Sequence, residues 1–213
     1  MSSPSFPAQL RLAGRRCLVV GAGSVAARKI AGLRQAGAVV TVVAPDAVDE
    51  IVADDGVSWH QRHYVRGEAA SYTLVITATD DPVVNRQVYR DGEAAGIFVN
   101  SADDPDNCSF TLPAVARRGP VQISVATDGR SPAVSGWLRR RLESRLEPEL
   151  DALVRLAAEV RTELRDAVGT AEVGGWDEAL DAALVYLQAG DSDNAAAALR
   201  AGVGLAELRE VAS

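Results

Sequence analysis

Short apolar runs alternate with segments of helical periodicity through the first half of the chain. Four continuous apolar runs predict buried strands: "RRCLVVGAG", "AVVTVVAP", "YTLVITAT" and "GIFVN". Helical spacing predicts helices over 24–36 and 81–95 and a short one over 46–54, whereas the alternating stretch "VSWHQRHYV" predicts a strand nearer an edge. This β–α–β order favours an α/β fold with a mostly parallel, doubly wound sheet.

The pattern changes after about residue 110. The stretch "CSFTLPAVARRGPVQISVAT" predicts two strands separated by Arg-Gly-Pro. Ser131 followed by Pro132 predicts the start of a helix, because serine caps free N–H groups and proline suits the first helical position. We expect this helix to run to about Leu146, and further helices to run from Pro148 to Val168, over 176–188 and over 192–200.

The stretch "VVGAGSVAARK" places a glycine motif between the first strand and the first helix. Gly21 allows a tight turn, Gly23 lets a pyrophosphate approach the backbone, and Ala26 lets the helix pack closely on the sheet. The helix N-terminus adds N–H donors for an anion. This context predicts a dinucleotide-binding domain of the Rossmann type; the alternative is a tight turn that binds nothing.

The end of the second strand bears on the choice of dinucleotide. Ala44 and Pro45 stand where an acidic ligand for the ribose is often found, and Asp46 lies slightly beyond. No arginine follows immediately to accept a 2′-phosphate. We therefore expect NAD rather than NADP.

The stretch "VNSADDPDNCSF" crowds three carboxylates, Asp103, Asp104 and Asp106, just after the predicted strand "GIFVN". Aspartate and asparagine favour turns, so a surface turn is one explanation. However, the carboxyl ends of strands in open α/β sheets are where ligands bind, and one carboxylate placed there could accept a proton. The residues alone leave both explanations open.

Composition and charge narrow the class of protein. The chain has 213 residues, 47% of them hydrophobic, and a net charge of −7. It shows no secretory pattern and no apolar run long enough to span a bilayer, so we expect a cytoplasmic protein without a membrane partner. Residues 117–145 hold seven arginines against Asp128 and Glu143, which suits an anionic ligand, a contact with the acidic tail, or a solvated face. Such an acidic protein is not expected to bind nucleic acid.

His60 and His63 raise the question of a metal site. Their spacing fits one face of a helix, but the stretch is predicted to be a strand, in which they would point to opposite faces. No cysteine or carboxylate set with structural zinc spacing surrounds them. We therefore expect no metal site there.

Several motifs together resemble one known family. They are "GAGSVAARK", "ITATDDPVVNRQV" and "FVNSADDPDNCSFTLPAVARRGPVQISVATDGRSPAVSGWLRRRLE", and they span most of residues 11–146. The combination resembles the precorrin-2 dehydrogenase / sirohydrochlorin ferrochelatase family, the N-terminal part of siroheme synthase. The resemblance implies NAD-dependent oxidation of precorrin-2 to sirohydrochlorin in a homodimer. In many members it also implies insertion of ferrous iron, as a substrate rather than a bound cofactor.

The resemblance also implies roles for individual residues. The family's Asn-x-x-Asp motif matches Asn100 to Asp103, which makes Asp103 the candidate catalytic residue and Asn100 a cofactor residue. Eight further positions match the family's cofactor stretches or belong to the glycine motif, and they complete the predicted cofactor set: Gly21, Gly23, Ser24, Val25, Pro45, Asp46, Thr79 and Asp80. The family's Gly-x-Ser-Pro turn implies substrate contacts for a tetrapyrrole carboxylate at Thr127, Gly129, Arg130 and Ser131. Hydrophobic residues often stand in the family where this chain has Ser101 and Ala102, and Asp104 adds a second carboxylate beside Asp103.

Pattern and resemblance together predict three segments. These are a Rossmann-type NAD-binding domain over 1–112, a small α+β segment for dimerisation and substrate binding over 113–146, and a helical domain over 147–213. Two other functions stay open at this point. One is a dehydrogenase that leaves chelation to a separate enzyme, and the other is an NAD-sensing regulatory module that binds the cofactor without turnover and does not need Asp103.

Overall fold

The computed structural model describes residues 5–102 and 104–212, which form two compact units. The first unit contains residues 5–102, 104–112 and 128–130, and the second contains residues 113–127 and 131–212. The three-segment division of the sequence stays a prediction.

The first unit is built on a parallel sheet of five strands in the order β3-β2-β1-β4-β5. The strands are β1 (Arg16–Val20), β2 (Val39–Ala44), β3 (Val57–Gln61), β4 (Leu74–Thr77) and β5 (Phe98–Ser101). The central strands are mostly apolar because both of their faces are covered. Cys17 and Val19 belong to one buried cluster, and Leu18 and Val20 belong to another. The predicted Rossmann-type sheet is therefore confirmed, with β3 at an edge as its alternating sequence indicated.

Three α-helices complete the first unit: α1 (Ser24–Gln35), α2 (Asp49–Val52) and α3 (Pro82–Ala95). The N-terminus of α3 is capped by Asp81, whose carboxylate accepts from Val83 N at 2.8 Å. Gly96 ends this helix in a left-handed conformation. Short 3₁₀ turns follow β3 at Glu68–Ser71 and follow β5 at Pro105–Asn107.

The second unit begins with an antiparallel hairpin, β6 (Ala114–Arg118) and β7 (Val121–Val125), against which helix α4 (Pro132–Glu143) packs. Four more helices follow: α5 (Leu150–Val168), α6 (Trp176–Gln188), α7 (Ser192–Gly202) and α8 (Leu205–Ala212). They enclose an apolar cluster of their own that includes Leu164, Ala183 and Leu199. Nowhere in 5–102 and 104–212 is a helix both long and apolar enough to cross a bilayer.

Two predicted helix bounds in the second unit are wrong, and one helix was not predicted. Helix α4 ends at Glu143 rather than near Leu146, and the chain continues in tight turns in which Arg145 N–H donates to Leu142 O and Leu146 N–H donates to Glu143 O. Helix α5 consequently begins at Leu150 rather than at Pro148. Helix α8 was not predicted, since it has only eight residues and follows directly on Gly204.

Candidate functional site

A cavity of about 490 Å³ lies at the carboxyl edge of the five-stranded sheet. The chain leaves β1 toward β2 on one side and returns to β4 on the other, so this edge is the switch point at which α/β sheets bind ligands. Eight of the nine cofactor residues predicted above line this cavity: Gly21, Gly23, Ser24, Val25, Pro45, Asp46, Thr79 and Asp80.

The glycine loop places backbone rather than side chains against the cavity. Gly21 has a φ of +102°, and a Cβ there would lie 2.3 Å from the carbonyl oxygen of Ala78, so only glycine fits between the turns after β1 and β4. A Cβ at Gly23 would meet no atom within 4 Å in the described part of the chain. The predicted roles of these two glycines differ accordingly: Gly21 shapes the turn and Gly23 leaves room for a ligand.

The N-terminus of α1 faces the same loop. Gly23 is its N-cap residue, and no side chain of the described residues caps this end or supplies an acidic group to the first turn. The first N–H groups of the helix, at Ser24 and Val25, are therefore available to an anionic ligand. Ala26 is fully buried, which allows the close helix–sheet packing that the motif predicts. These features fit the pyrophosphate of a dinucleotide.

A buried polar network holds the turn between β4 and α3. The hydroxyl groups of Thr77 and Thr79 both donate to Asn85 Oδ1, the latter at 2.8 Å. The amide of Asn85 donates in return to the carbonyl oxygen of Thr79 at 2.9 Å. Asn85 therefore fixes the position of Thr79 at the cavity, a role that sequence reasoning missed although the residue stands in the quoted motif "ITATDDPVVNRQV".

Two further lining residues, His63 and Tyr64, were also missed. Strand β3 ends at Gln61, so the interpretation that placed both His60 and His63 in one strand is wrong. Because β3 pairs in parallel with β2, the residues after β3 reach the same edge as the glycine loop. No local signal in the sequence pointed to His63, because the alternating pattern placed it inside the predicted strand rather than after it.

The acidic stretch after β5 is only partly described, and Asp103 lies outside the described residues. Asp104 accepts from the amide of Asn107 at 2.6 Å across the short 3₁₀ turn. Cys108 donates to the carbonyl oxygen of Ser101 at 3.2 Å and accepts from its N–H at 3.1 Å. Burial raises the pKa of the Cys108 thiol, which suits this role as a neutral donor.

Asn100 is the predicted cofactor residue that does not line the cavity. It is buried at the end of β5, and its amide donates to the carbonyl oxygen of Phe110 at 3.0 Å. The geometry gives Asn100 a part in anchoring the chain that returns after the acidic stretch.

The four predicted substrate residues divide between the two units. Thr127 and Ser131 belong to the second, where the Thr127 hydroxyl donates to the carbonyl oxygen of Ser131 at 3.1 Å and accepts from its N–H at 3.2 Å. Ser131 caps α4, as its sequence position predicted. Gly129 and Arg130 belong to the first unit, and both are exposed. Their roles toward a substrate stay predictions.

Two family models match the chain. One is described as "Putative NAD(P)-binding" and matches residues 8–114; the other, "Sirohaem biosynthesis protein central", matches residues 118–145. Among curated relatives, the siroheme synthase of Nitrosococcus oceani is 38% identical over 202 residues, which are 92% of this chain and 43% of that protein. The siroheme synthase of Methylococcus capsulatus is 40% identical over 166 residues, which are 76% of this chain and 35% of that protein. The chain thus spans less than half the length of these relatives.

A solved structure shares the whole fold. The precorrin-2 dehydrogenase SirC superposes with a TM-score of 0.64 and 24% identity, covering 98% of both chains. At this identity the likeness concerns the fold. The cofactor prediction agrees with the NAD(P)-binding match over the first unit. The chain belongs to the family described as "Putative NAD(P)-binding", and it carries the central segment of sirohaem biosynthesis proteins, as its motifs indicated.

Proposed function

We propose that this protein oxidises precorrin-2 to sirohydrochlorin with NAD, as a step of sirohaem biosynthesis. The observation that carries the proposal is the cavity at the switch point, where the glycine loop, the end of β2 and the β4 turn come together. The match to the sirohaem central segment and the siroheme synthase relatives support the tetrapyrrole substrate.

NAD is favoured over NADP by the charge of the cavity lining. Asp46 contributes a carboxylate at the end of β2, where an acidic group accepts a hydrogen bond from the ribose 2′-hydroxyl. The described lining includes no arginine or lysine that would pair with a 2′-phosphate. A carboxylate in this place repels that phosphate.

The proposed chemistry removes one hydride and one proton from the macrocycle. NAD, when bound, supplies the hydride acceptor. Asp103 is proposed to take the proton, because the segment after β5 runs beside the turn after β4: Thr77 and Ser101 are partners in the parallel register. Thr79 and Asp80 would then lie on the nicotinamide side of the cavity.

Ferrochelation is a second candidate activity, supported by the same acidic stretch. Insertion of ferrous iron displaces protons from pyrrole nitrogens, and the proposed base could accept them. Iron would be a substrate, held mainly by the tetrapyrrole nitrogens. A cytoplasmic homodimer is also proposed: helix α4 leaves Val134 and Trp137 about half exposed one helical turn apart, which suits a contact between copies.

Two anaerobic reactions with the wild-type protein test these proposals separately. Formation of NADH from precorrin-2, followed by absorbance, is expected if the chain is a dehydrogenase. Uptake of ferrous iron by supplied sirohydrochlorin tests chelation without the first step. A folded protein that binds NAD but forms no NADH would contradict the dehydrogenase proposal and favour the NAD-sensing alternative.

A further inference from the structure

The chain between β3 and β4, residues 62–72, forms part of the cavity wall and is named here the crossover segment. Its first residues are fixed beside the end of β2, because the N–H of Arg62 donates to the carbonyl oxygen of Ala44 at 3.2 Å. His63 and Tyr64, which come next, line the cavity together with Pro45 and Asp46.

The strand order indicates which half of a bound dinucleotide would lie next to the crossover segment. In the order β3-β2-β1-β4-β5, the crossover segment begins on the β2 side of the glycine loop, and the β4 turn lies on the other side. A dinucleotide lies across this edge with its adenosine ribose near the end of β2. His63 therefore stands on the adenosine side.

Helix α3 holds the crossover segment through one carboxylate. Asp91 accepts from the Tyr64 hydroxyl at 2.8 Å, from Gly67 N–H at 2.6 Å and from the Gln87 amide at 2.7 Å. Burial alone would raise the pKa of Asp91, but the hydrogen bonds from Gly67 and Tyr64 bring it below its usual value. Burial raises the pKa of Tyr64 well above its usual value, so the phenol stays a donor.

A second carboxylate, that of Glu68, forms hydrogen bonds within the crossover segment. Glu68 pairs with both terminal nitrogens of Arg62, at 3.0 and 2.5 Å, and accepts from Val65 N–H at 3.3 Å. Tyr64 also accepts from Ala69 N–H at 3.1 Å. A flexible loop must become ordered when it binds a ligand, and this costs conformational entropy. The crossover segment is already ordered by these hydrogen bonds, so that cost is smaller.

We propose that His63 is a cofactor-binding residue of the adenosine half, and that Asp91 is a positioning residue that holds Tyr64 and the crossover segment against the cavity. The proposal rests on the NAD-binding part of the proposed function and is independent of the substrate that is oxidised. The competing explanation is that Asp91 only stabilises the fold of the segment.

Calorimetric titration with three probes tests the assignment: NAD, ADP-ribose as the adenosine half, and nicotinamide mononucleotide as the other half. His63→Ala is expected to lower the affinity for NAD and for ADP-ribose by about fivefold or more, which corresponds to the loss of one ordinary hydrogen bond. The affinity for the mononucleotide should stay within about twofold of wild type. His60→Ala is the matched control, because His60 lies in β3 and is not a lining residue. Unchanged affinity of His63→Ala for ADP-ribose would overturn the role of His63.

The positioning role of Asp91 is tested by the affinity for ADP-ribose, which is measured together with stability. Asp91→Asn and the milder Tyr64→Phe, which removes one hydroxyl, are both expected to lower the affinity for ADP-ribose about fivefold. Glu93→Gln, on the exposed side of the same helix, should change nothing. A Tyr64→Phe protein that melts earlier but binds ADP-ribose like wild type would overturn the positioning role. The wild-type titration tests NAD binding itself, so the proposed function and this inference fail separately.

Discussion

The two glycines of the loop should respond to alanine in opposite ways. At Gly21, with φ +102°, an added Cβ would lie 2.3 Å from Ala78 O and 2.7 Å from Ala78 C, both backbone atoms that cannot turn aside. A positive φ costs alanine about 1–2 kcal/mol. Displacing the neighbouring turn adds about 1–3 kcal/mol. Gly21→Ala should therefore lower the free energy of unfolding by roughly 2–5 kcal/mol.

Gly23→Ala should spare the fold and damage binding. The residue has φ −83° and ψ −175°, which alanine adopts freely, and the methyl group would meet no described atom within 4 Å. Its cost to stability is the loss of a good N-cap residue, about 1 kcal/mol or less. The methyl group would occupy the space left for the pyrophosphate, so the affinity for NAD should fall by about tenfold or more, some 1.4 kcal/mol.

Urea unfolding and NAD titration of both variants test this separation of roles. Gly32→Ala is the control, because Gly32 lies in α1 and an added Cβ there also meets no described atom. That change should stabilise the protein by about 0.5–1 kcal/mol and leave binding alone. Wild-type affinity in Gly23→Ala, or wild-type stability in Gly21→Ala, would refute the reasoning.

Two further changes probe the network beside the cavity and the helical part of the second unit. Asn85→Ala should cost about 1–3 kcal/mol in urea unfolding, because the buried hydroxyl of Thr77 loses its acceptor, whereas the partly buried hydroxyl of Thr79 can still donate to the carbonyl oxygen of Asp81. A change below about 0.5 kcal/mol would contradict this. Glu163→Gln should cost about 0.5–1 kcal/mol at pH 7, because the hydrogen bond from Arg200 lowers the pKa of a partly exposed carboxylate. Since the folded pKa lies below the ordinary value of 4.5, that stabilisation is complete above 4.5 and is lost as pH falls through the folded value. The stabilities of wild type and variant should converge as pH falls below the folded pKa of Glu163, and a gap that stays constant across the acid range would contradict the assignment.

Most elements of the fold could be predicted from local sequence signals. Four strands of the sheet were predicted from continuous apolar runs and β3 from its alternating pattern. The starts of α3 and α4 were predicted from their capping residues, Asp81 and Ser131, so these elements follow from local sequence. The end of α4 and the existence of α8 did not follow, because short helices and their last turns depend on packing within the unit more than on propensity.

The same difference between local signals and tertiary packing explains which residues of the site could be predicted. The glycine loop is recognisable because its turn, its close approach and its helix N-terminus occupy consecutive residues. His63 reaches the cavity only because β3 pairs with β2, and Asn85 acts only because α3 returns over Thr77, so their roles depend on tertiary structure. Family resemblance, rather than residue pattern, pointed to Asp103.

The most direct test of the central claim is NADH formation from anaerobic precorrin-2 by wild type, Asp103→Asn and Asp104→Asn at saturating NAD. Asp104 is the matched control, because its carboxylate accepts from Asn107 within the turn. The account predicts turnover by wild type, loss of at least about 100-fold in Asp103→Asn, as for a general base, and a smaller effect in Asp104→Asn, with NAD affinity unchanged in both. Turnover by Asp103→Asn at the wild-type rate, or no NADH from a wild-type protein that binds NAD, would contradict it.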